Sequence, residues 1–229
     1  MGDEVTATTF SREDRQRYRE KVKRCLDVFA RMLSESRFDP ARGSMGLEIE
    51  LNLTEATGDP AFANAHVLEL ISDEDFQTEL GQFNVEINIP PRTLRGAVFS
   101  DLEDCIRADL NHAEEQANKA HAHMMIIGIL PTLMERDLNG QALSANPRYA
   151  LLNEQIFAAR GEDLHIALDG PERLVTYADT IAPEAACTSV QLHMQVDPPA
   201  FAAHWNAAQA IAGVQLAIGA NSPFFFGRE

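Results

Sequence analysis

No stretch of the sequence approaches the ~20 consecutive apolar residues that span a bilayer. Its 229 residues are 45% apolar and 24% charged, which is ordinary globular usage, so membrane insertion and disorder are both disfavoured. Cysteine is scarce. Cys25, Cys105 and Cys187 are far apart and form no Cys-x-x-Cys, which argues against a disulfide framework and a thiolate zinc site. All three are expected to be reduced. The Arg-rich start lacks the apolar core of a signal peptide, so the expected compartment is the cytoplasm. A Met-Gly-x-x-x-Thr pattern ends at Thr6, but with Asp3 and Glu4 inside it reads as a chance match to a lipidation signal. Positive charge is also short: 19 Lys and Arg face 35 Asp and Glu, a net charge of −16. Residues 1–44 hold 10 basic against 8 acidic side chains, leaving 9 against 27 in the remainder. So negative a surface repels phosphate backbones, and neither nucleic acid nor an anionic membrane is an expected partner. Several motifs are missing too: the phosphate-cradling Gly-x-x-x-x-Gly-Lys loop, Gly-x-Gly-x-x-Gly after a strand, the Gly-x-Ser-x-Gly elbow and the His-Glu-x-x-His zinc helix.

What is present is a set of clear periodicities. Ser11 and Asp14 open a helix expected over about 12–35, with Tyr18, Val22, Leu26, Phe29 and Leu33 along one stripe. A turn cluster follows at Phe38–Gly43. Met45, Leu47, Ile49, Leu51 and Leu53 then alternate with Gly46, Glu48, Glu50 and Asn52, the pattern of a half-buried strand. Residues 54–78 mix a Gly-Asp-Pro turn with short helical patterns. Phe83, Val85, Ile87 and Ile89 alternate with Gln82, Asn84, Glu86 and Asn88 in a second such strand, which Pro90-Pro91 is expected to end. Ser100 and Glu103 resemble a capping box for a long helix reaching Ala120. Met124–Leu130 reads as a strand buried on both faces, with helix as the alternative. Asn146-Pro147 and Gly161 bracket a helix at 147–160. Val190, Leu192, Met194 and Val196 alternate with Ser189, Gln191, His193 and Gln195 in a third strand of the same design. Pro198-Pro199 then starts an alanine-rich helix to about Gly219. With no internal repeat or low-complexity linker, a single domain over 1–229 is expected. The ending Asn221-Ser-Pro-Phe-Phe-Phe-Gly-Arg-Glu229 lacks a polar tail, so that domain is expected to be incomplete at its C-terminus, with little activity alone and apolar surface around Phe224–Phe226.

Residues two apart on a strand share a face about 6.5–7 Å from each other. Glu48 with Glu50, Asn84 with Glu86 and Gln191 with His193 are such pairs. On any one strand they suit an ordinary solvated outer face, and His193 alone suits a structural histidine. If the three strands are neighbours, however, their apolar faces form a core with the helices and their other faces collect carboxylates, amides and an imidazole. That donor set suits a hard divalent cation such as Mg2+, or Mn2+ if the imidazole takes part. It would also let an anionic substrate approach an acidic protein. A metal-dependent phosphohydrolase is disfavoured by the absence of its Asp/His spacings.

The series Gly46-Leu-Glu-Ile-Glu50, Glu79-Leu-Gly-Gln-Phe-Asn-Val-Glu86, Thr188-Ser-Val-Gln-Leu-His193 and Ala220-Asn-Ser-Pro223 resembles the glutamate-cysteine ligase family, in family order over most of the chain. The resemblance implies an α+β fold similar to the catalytic domain of glutamine synthetase: a curved antiparallel sheet with helices packed on one face. It implies ATP as co-substrate, two or three Mg2+ ions, and glutamate with cysteine or another amine as substrates. Carried over by position, Glu48, Glu50, Glu79, Glu86 and His193 are expected metal ligands. Some family members have Asn in place of His193 and Asp in place of Glu79. Asn84, Arg148, Gln191, Asn221 and Arg228 are expected substrate or nucleotide contacts; for Arg148 a surface arginine at a helix start is the competing reading. The implied reaction makes an acyl phosphate that an amine displaces, so no protein nucleophile is expected and Cys187 reads as a buried structural thiol. A non-catalytic module with the same fold, or a ligase using another amine, is the alternative.

Overall fold

The computed structural model describes residues 9–38 and 43–229; most of the expected turn at Phe38–Gly43, and the Met1–Thr6 pattern, lie outside the described residues. Helix α1 (Arg12–Ser34) starts at a reciprocal cap. Ser11 Oγ accepts the Asp14 N–H at 3.1 Å, and Asp14 accepts the Ser11 N–H at 3.0 Å. The hydrogen bond from the Ser11 hydroxyl, followed by Arg17, lowers the Asp14 carboxyl to about 2. The helix forms where its local signals put it, yet none of its residues is buried and its apolar stripe stays exposed.

The sheet is built around β1 (Ser44–Thr54). One edge of β1 pairs antiparallel with β3 (Asn84–Thr93), and β2 (Phe76–Thr78) lies on the far side of β3. Two strands share the other edge of β1: β4 (His123–Met125) pairs with residues 52–54, and β7 (Val190–Met194) with residues 45–49. The three strands with alternating carboxylates and amides are therefore neighbours in one open antiparallel sheet, with β1 in the middle. Leu47, Ile49, Leu51, Leu53, Val85, Ile87 and Ile89 fill its apolar face. They pack against Val67 and Ile71 of α2 (Asn64–Ile71) and Leu102, Ala113 and Ala117 of α3 (Val98–Lys119). Each large side chain so buried contributes roughly 1.5–3 kcal/mol. Mixed helix and antiparallel sheet make the chain α+β, as expected.

A second core lies around Leu80, Phe83, Leu130, Leu133, Tyr149, Ile181 and Phe226. It joins α4 (Pro147–Arg160) to a hairpin of β5 (Leu164–Asp169) and β6 (Arg173–Ala178). The boundaries of α4 match the sequence expectation: Asn146 caps the Arg148 N–H at 2.9 Å, and Gly161 closes the helix in the left-handed region at φ 73°. After a 3-10 turn at Pro198–Ala200 comes α5 (Phe201–Gly219), the expected alanine-rich helix, with no buried residue. No helix among the described residues is long and apolar enough to cross a membrane.

Several expectations are corrected. Pro90-Pro91 does not end β3. Met45 pairs with Arg92 and Leu47 with Ile89, so the two prolines bulge opposite the single residue Gly46, where neither need donate to the ladder. A Cβ on Gly46 would sit 3.2 Å from the Ile89 carbonyl, which explains glycine at that place. Ser100 lies inside the first turn of α3 rather than capping it. Gly96, at φ 57°, turns the chain earlier, and Val98 already enters the core. Met124–Leu130 is not a doubly buried strand: pairing stops at Met125, and Met125 and Ile126 are exposed. The chain leaves the sheet there because β7 occupies the next stretch of β1's edge. The hairpin β5–β6 was not expected at all, although Leu164, Ile166 and Leu168 alternate ahead of a Gly-Pro turn. Val190, Leu192 and Met194 of β7 remain exposed, because α2 and α3 lie over β2, β3 and β4. Cys187 is exposed rather than buried. Phe226 is buried in the second core and Phe225 packs against it half-buried, which leaves Phe224 as the exposed one of the three.

This division between covered and uncovered apolar residues is measurable. Leu51→Ala, at a position with no exposure, is expected to lower unfolding free energy by about 2–5 kcal/mol in urea titrations. Leu26→Ala, on the exposed stripe of α1, is expected to change it by no more than about 0.5 kcal/mol.

Candidate metal centre

The register of the ladder decides which polar side chains meet. Glu50 of β1 is directly opposite Glu86 of β3, and Gln77 of β2 is opposite Glu86 on its other side. Glu48 stands between Asn88 of β3 and Gln191 of β7, Gly46 opposite His193, and Asn52 opposite Asn84. Period two puts this set on the face turned away from α2 and α3. Glu79, in the loop between β2 and β3, swings into the same place. Glu50, Glu79 and Glu86 each bring a carboxylate oxygen to within 4.8 Å of the other two.

Glu86 is only 3% exposed, and Glu50 and Glu79 are half-buried. Burial pushes the Glu50 carboxyl above its ordinary range. The Ser189 N–H at 2.8 Å and the Gln191 amide at 3.3 Å oppose that rise, and the charge of Glu86 adds to it. Burial likewise raises Glu79, against the Leu80 N–H at 2.6 Å and with the charges of Glu50 and Glu86. Glu86 accepts the Asn88 amide at 2.8 Å. Beside this triad, Glu48 Oε2 is buried and has no hydrogen-bond partner among the described residues. His193 Nε2 stands 3.4 Å from it.

A buried carboxylate oxygen without a donor is costly unless something positive completes it. Clustered oxygen donors with one orphaned atom fit a hard divalent cation such as Mg2+, which takes carboxylate oxygens. The flanking imidazole is compatible with Mn2+.

The other expected site residues are distributed as follows. Gln191 touches Glu50 and is exposed at the cluster's rim. Asn84 is buried, and its amide donates to Asn52 Oδ1 at 3.0 Å. Asn52 in turn donates to the Ile127 carbonyl at 2.9 Å. Arg148, in the first turn of α4, lies over the ring of Tyr149, whose hydroxyl donates to the Thr78 carbonyl next to Glu79. The Asn221 carbonyl accepts the Gly128 N–H at 3.3 Å, beside the loop that Asn52 holds. Arg228 pairs with Glu172 at the β5–β6 turn and is not brought to the acidic face.

Sequence reasoning missed the residues that hold the site in shape: Asn52, Asn64, Ser144, Tyr149, Thr188 and Ser189. Asn52 was legible as the next polar position on its strand. Ser144 and Asn64 carried no signal, since a serine in a loop and an asparagine at a helix start are ordinary. Gly81 had none either, yet a Cβ there would lie 2.4 Å from Asn84 Oδ1 and 3.1 Å from the Ala185 Cβ.

Fold and face together define a class, an α+β protein whose open antiparallel sheet presents clustered carboxylates. Against known proteins, the family model of glutamate-cysteine ligase family 2 matches residues 44–229, from the first residue of β1 onwards, and the chain belongs to that family. Membership gives carboxylate–amine ligation as the class of chemistry. No curated protein and no solved structure matches the chain.

The raised carboxyls make a prediction about stability. A carboxyl whose folded value exceeds the ordinary 4.5 contributes stability fully below that pH and loses it as pH rises through the folded value. In chelator, thermal stability is therefore expected to fall as pH rises from 4.5 towards neutrality. Glu79→Gln is expected to flatten that slope, seen as the difference in Tm between variant and parent across the pH series.

Proposed function

We propose that this chain is an ATP-dependent ligase that joins the γ-carboxylate of glutamate to the amine of cysteine through γ-glutamyl phosphate, in the cytoplasm. The observation that carries the reading is the convergence of Glu50, Glu79 and Glu86 on one sheet face in a member of this family.

A carboxylate is a poor acyl donor. Attack of its oxygen on the terminal phosphorus of ATP forms the acyl phosphate and releases ADP. The amine then attacks the acyl carbon, losing a proton as phosphate leaves. Two or three divalent cations, Mg2+ or Mn2+, when bound supply neutralisation of phosphate charge in an otherwise repulsive protein. Glu50, Glu79 and Glu86 would hold one, and Glu48 with His193 would hold another. Ser189 and Gln191 orient Glu50 by donating to its two oxygens. Asn88 does the same for Glu86.

Arg148 offers a planar donor fork suited to a substrate carboxylate or phosphate, half-buried against Tyr149. Asn221 would meet nucleotide or substrate from the 127–128 loop. Asn84 supports the face through Asn52, and Arg228, engaged with Glu172, is left outside the proposed site. The chemistry calls on no protein nucleophile, which accords with Cys187: desolvation of its thiol, with the charges of Glu184 and Glu50, pushes it up, away from thiolate.

The test is ADP and γ-glutamylcysteine formation by the full chain with MgATP, glutamate and cysteine. Glu86→Ala and Glu48→Ala are each expected to cut turnover by about 100-fold or more. Undiminished activity in either variant would remove that residue from the metal site. ADP formation with a different amine in an acceptor panel, and none with cysteine, would keep the ligase and replace the acceptor.

A further inference from the structure

Glu50 and Glu86 owe their positions to a strand ladder, but Glu79 does not. It follows the three-residue β2 and sits in the loop leading to β3, where backbone geometry is set by whatever holds the loop. Four consecutive carbonyls of that stretch have partners from elsewhere in the chain or from the loop itself. Thr78 O accepts the Tyr149 hydroxyl at 3.0 Å, and Glu79 O accepts the Ser144 hydroxyl. Leu80 O accepts the Ser144 N–H at 2.8 Å. Gly81 O accepts the Asn64 amide at 3.1 Å and the Asn84 N–H at 2.9 Å. On the other side Gln82 donates its N–H to Ala142 O at 2.8 Å, and Gly81 bridges to Leu143.

Ser144 is the hub of this arrangement. It is 4% exposed, contributes both its hydroxyl and its N–H, and its Oγ also lies 2.8 Å from the Asn64 amide. One buried hydroxyl thus ties the Glu79 loop to α2 and to the segment that leads into α4.

We infer that Ser144 is the positioning residue that places Glu79 in the carboxylate cluster and thereby sets the affinity of that cluster for a divalent cation. The inference rests on the metal reading of the cluster. Removing the hydroxyl leaves the Glu79 carbonyl without its donor and takes from the Asn64 amide one of three acceptors, the others being the Gly81 and Asn84 carbonyls, and the loop shifts to recover a donor for Glu79 O. A ligand displaced by even about 1 Å costs affinity, and loss of a residue that orients a ligand lowers metal affinity by about 10–100-fold.

The experiment measures Mn2+ binding directly, by electron paramagnetic resonance of the free ion, in the parent chain, Ser144→Ala, Ser144→Thr, Tyr149→Phe and Glu86→Gln. Circular dichroism at the binding temperature confirms that each is folded. The parent is expected to bind saturably and Glu86→Gln to lose the site. Folded Ser144→Ala is expected to bind about tenfold more weakly or worse, and Ser144→Thr to recover most of the loss. Tyr149→Phe, which removes only the Thr78 contact, is expected to show a smaller loss. In the ligase assay the Ser144→Ala defect is expected as a raised half-saturating Mg2+ concentration, with kcat restored by excess Mg2+. Parent-like affinity in folded Ser144→Ala would overturn the inference while leaving the metal reading intact. If Ser144→Ala does not fold, folded Ser144→Cys, which keeps the volume but replaces the hydroxyl with a weak donor, takes its place, and parent-like affinity there overturns the inference. Absence of Mn2+ binding by the parent would overturn the metal reading and the inference together.

Discussion

Glu50 and Glu86 face each other across adjacent strands, a pairing of like charges that is unfavourable where two carboxylates share a partly buried face. Most of what surrounds them bears on that one repulsion. Backbone N–H groups from Ser189 and Leu80 and side-chain amides from Gln191 and Asn88 reach carboxylate oxygens of the cluster. These donors soften the charge without cancelling it, and burial still holds Glu50 and Glu79 above the ordinary carboxyl range. A sheet that keeps such a cluster gives up stability that its apolar face must supply. That face is continuous across β1 and β3, with Leu51, Leu53, Val85 and Ile87 fully buried beneath the acids.

The two cores meet at the loop that carries Glu79. Its neighbours Leu80 and Phe83 belong to the second core, whereas Phe76 and Val85 on either side belong to the first. A carboxylate placed at such a junction depends on both packings at once. The clamp by Asn64, Ser144 and Tyr149 is the polar counterpart of that arrangement, and it lies on residues with no charge of their own. The Asn52–Asn84 pair performs a similar task at the other end of the face, joining β1 and β3 to the loop at Ile127.

Away from the site, local and tertiary preferences part company. Helices α1 and α5 form on caps, prolines and composition, yet none of their residues is buried. In β7 the alternation is present and the pairing is correct, while the apolar side remains uncovered because α2 and α3 are confined to the β2–β3–β4 side. Secondary structure here is specified more locally than burial.

The sequence alone determined the three alternating strands, the cap-bounded α4, the long helices and the sharing of one face by Glu48 with Glu50 and by Asn84 with Glu86, because strand and helix periods are properties of neighbours in the chain. Tertiary structure decided the rest. Glu79 joins Glu50 and Glu86 through contacts with Ser144, 65 residues away in the chain, which no period encodes. Prolines at 90 and 91 stay in the strand because Gly46, on a different strand, leaves room for a bulge. Met124–Leu130 leaves the sheet because β7 occupies the next stretch of the same edge, and Phe226 finds a core far from it in sequence. Alternation says which side of a strand a residue faces, but only register, bulges and long-range hydrogen bonds say what it faces there.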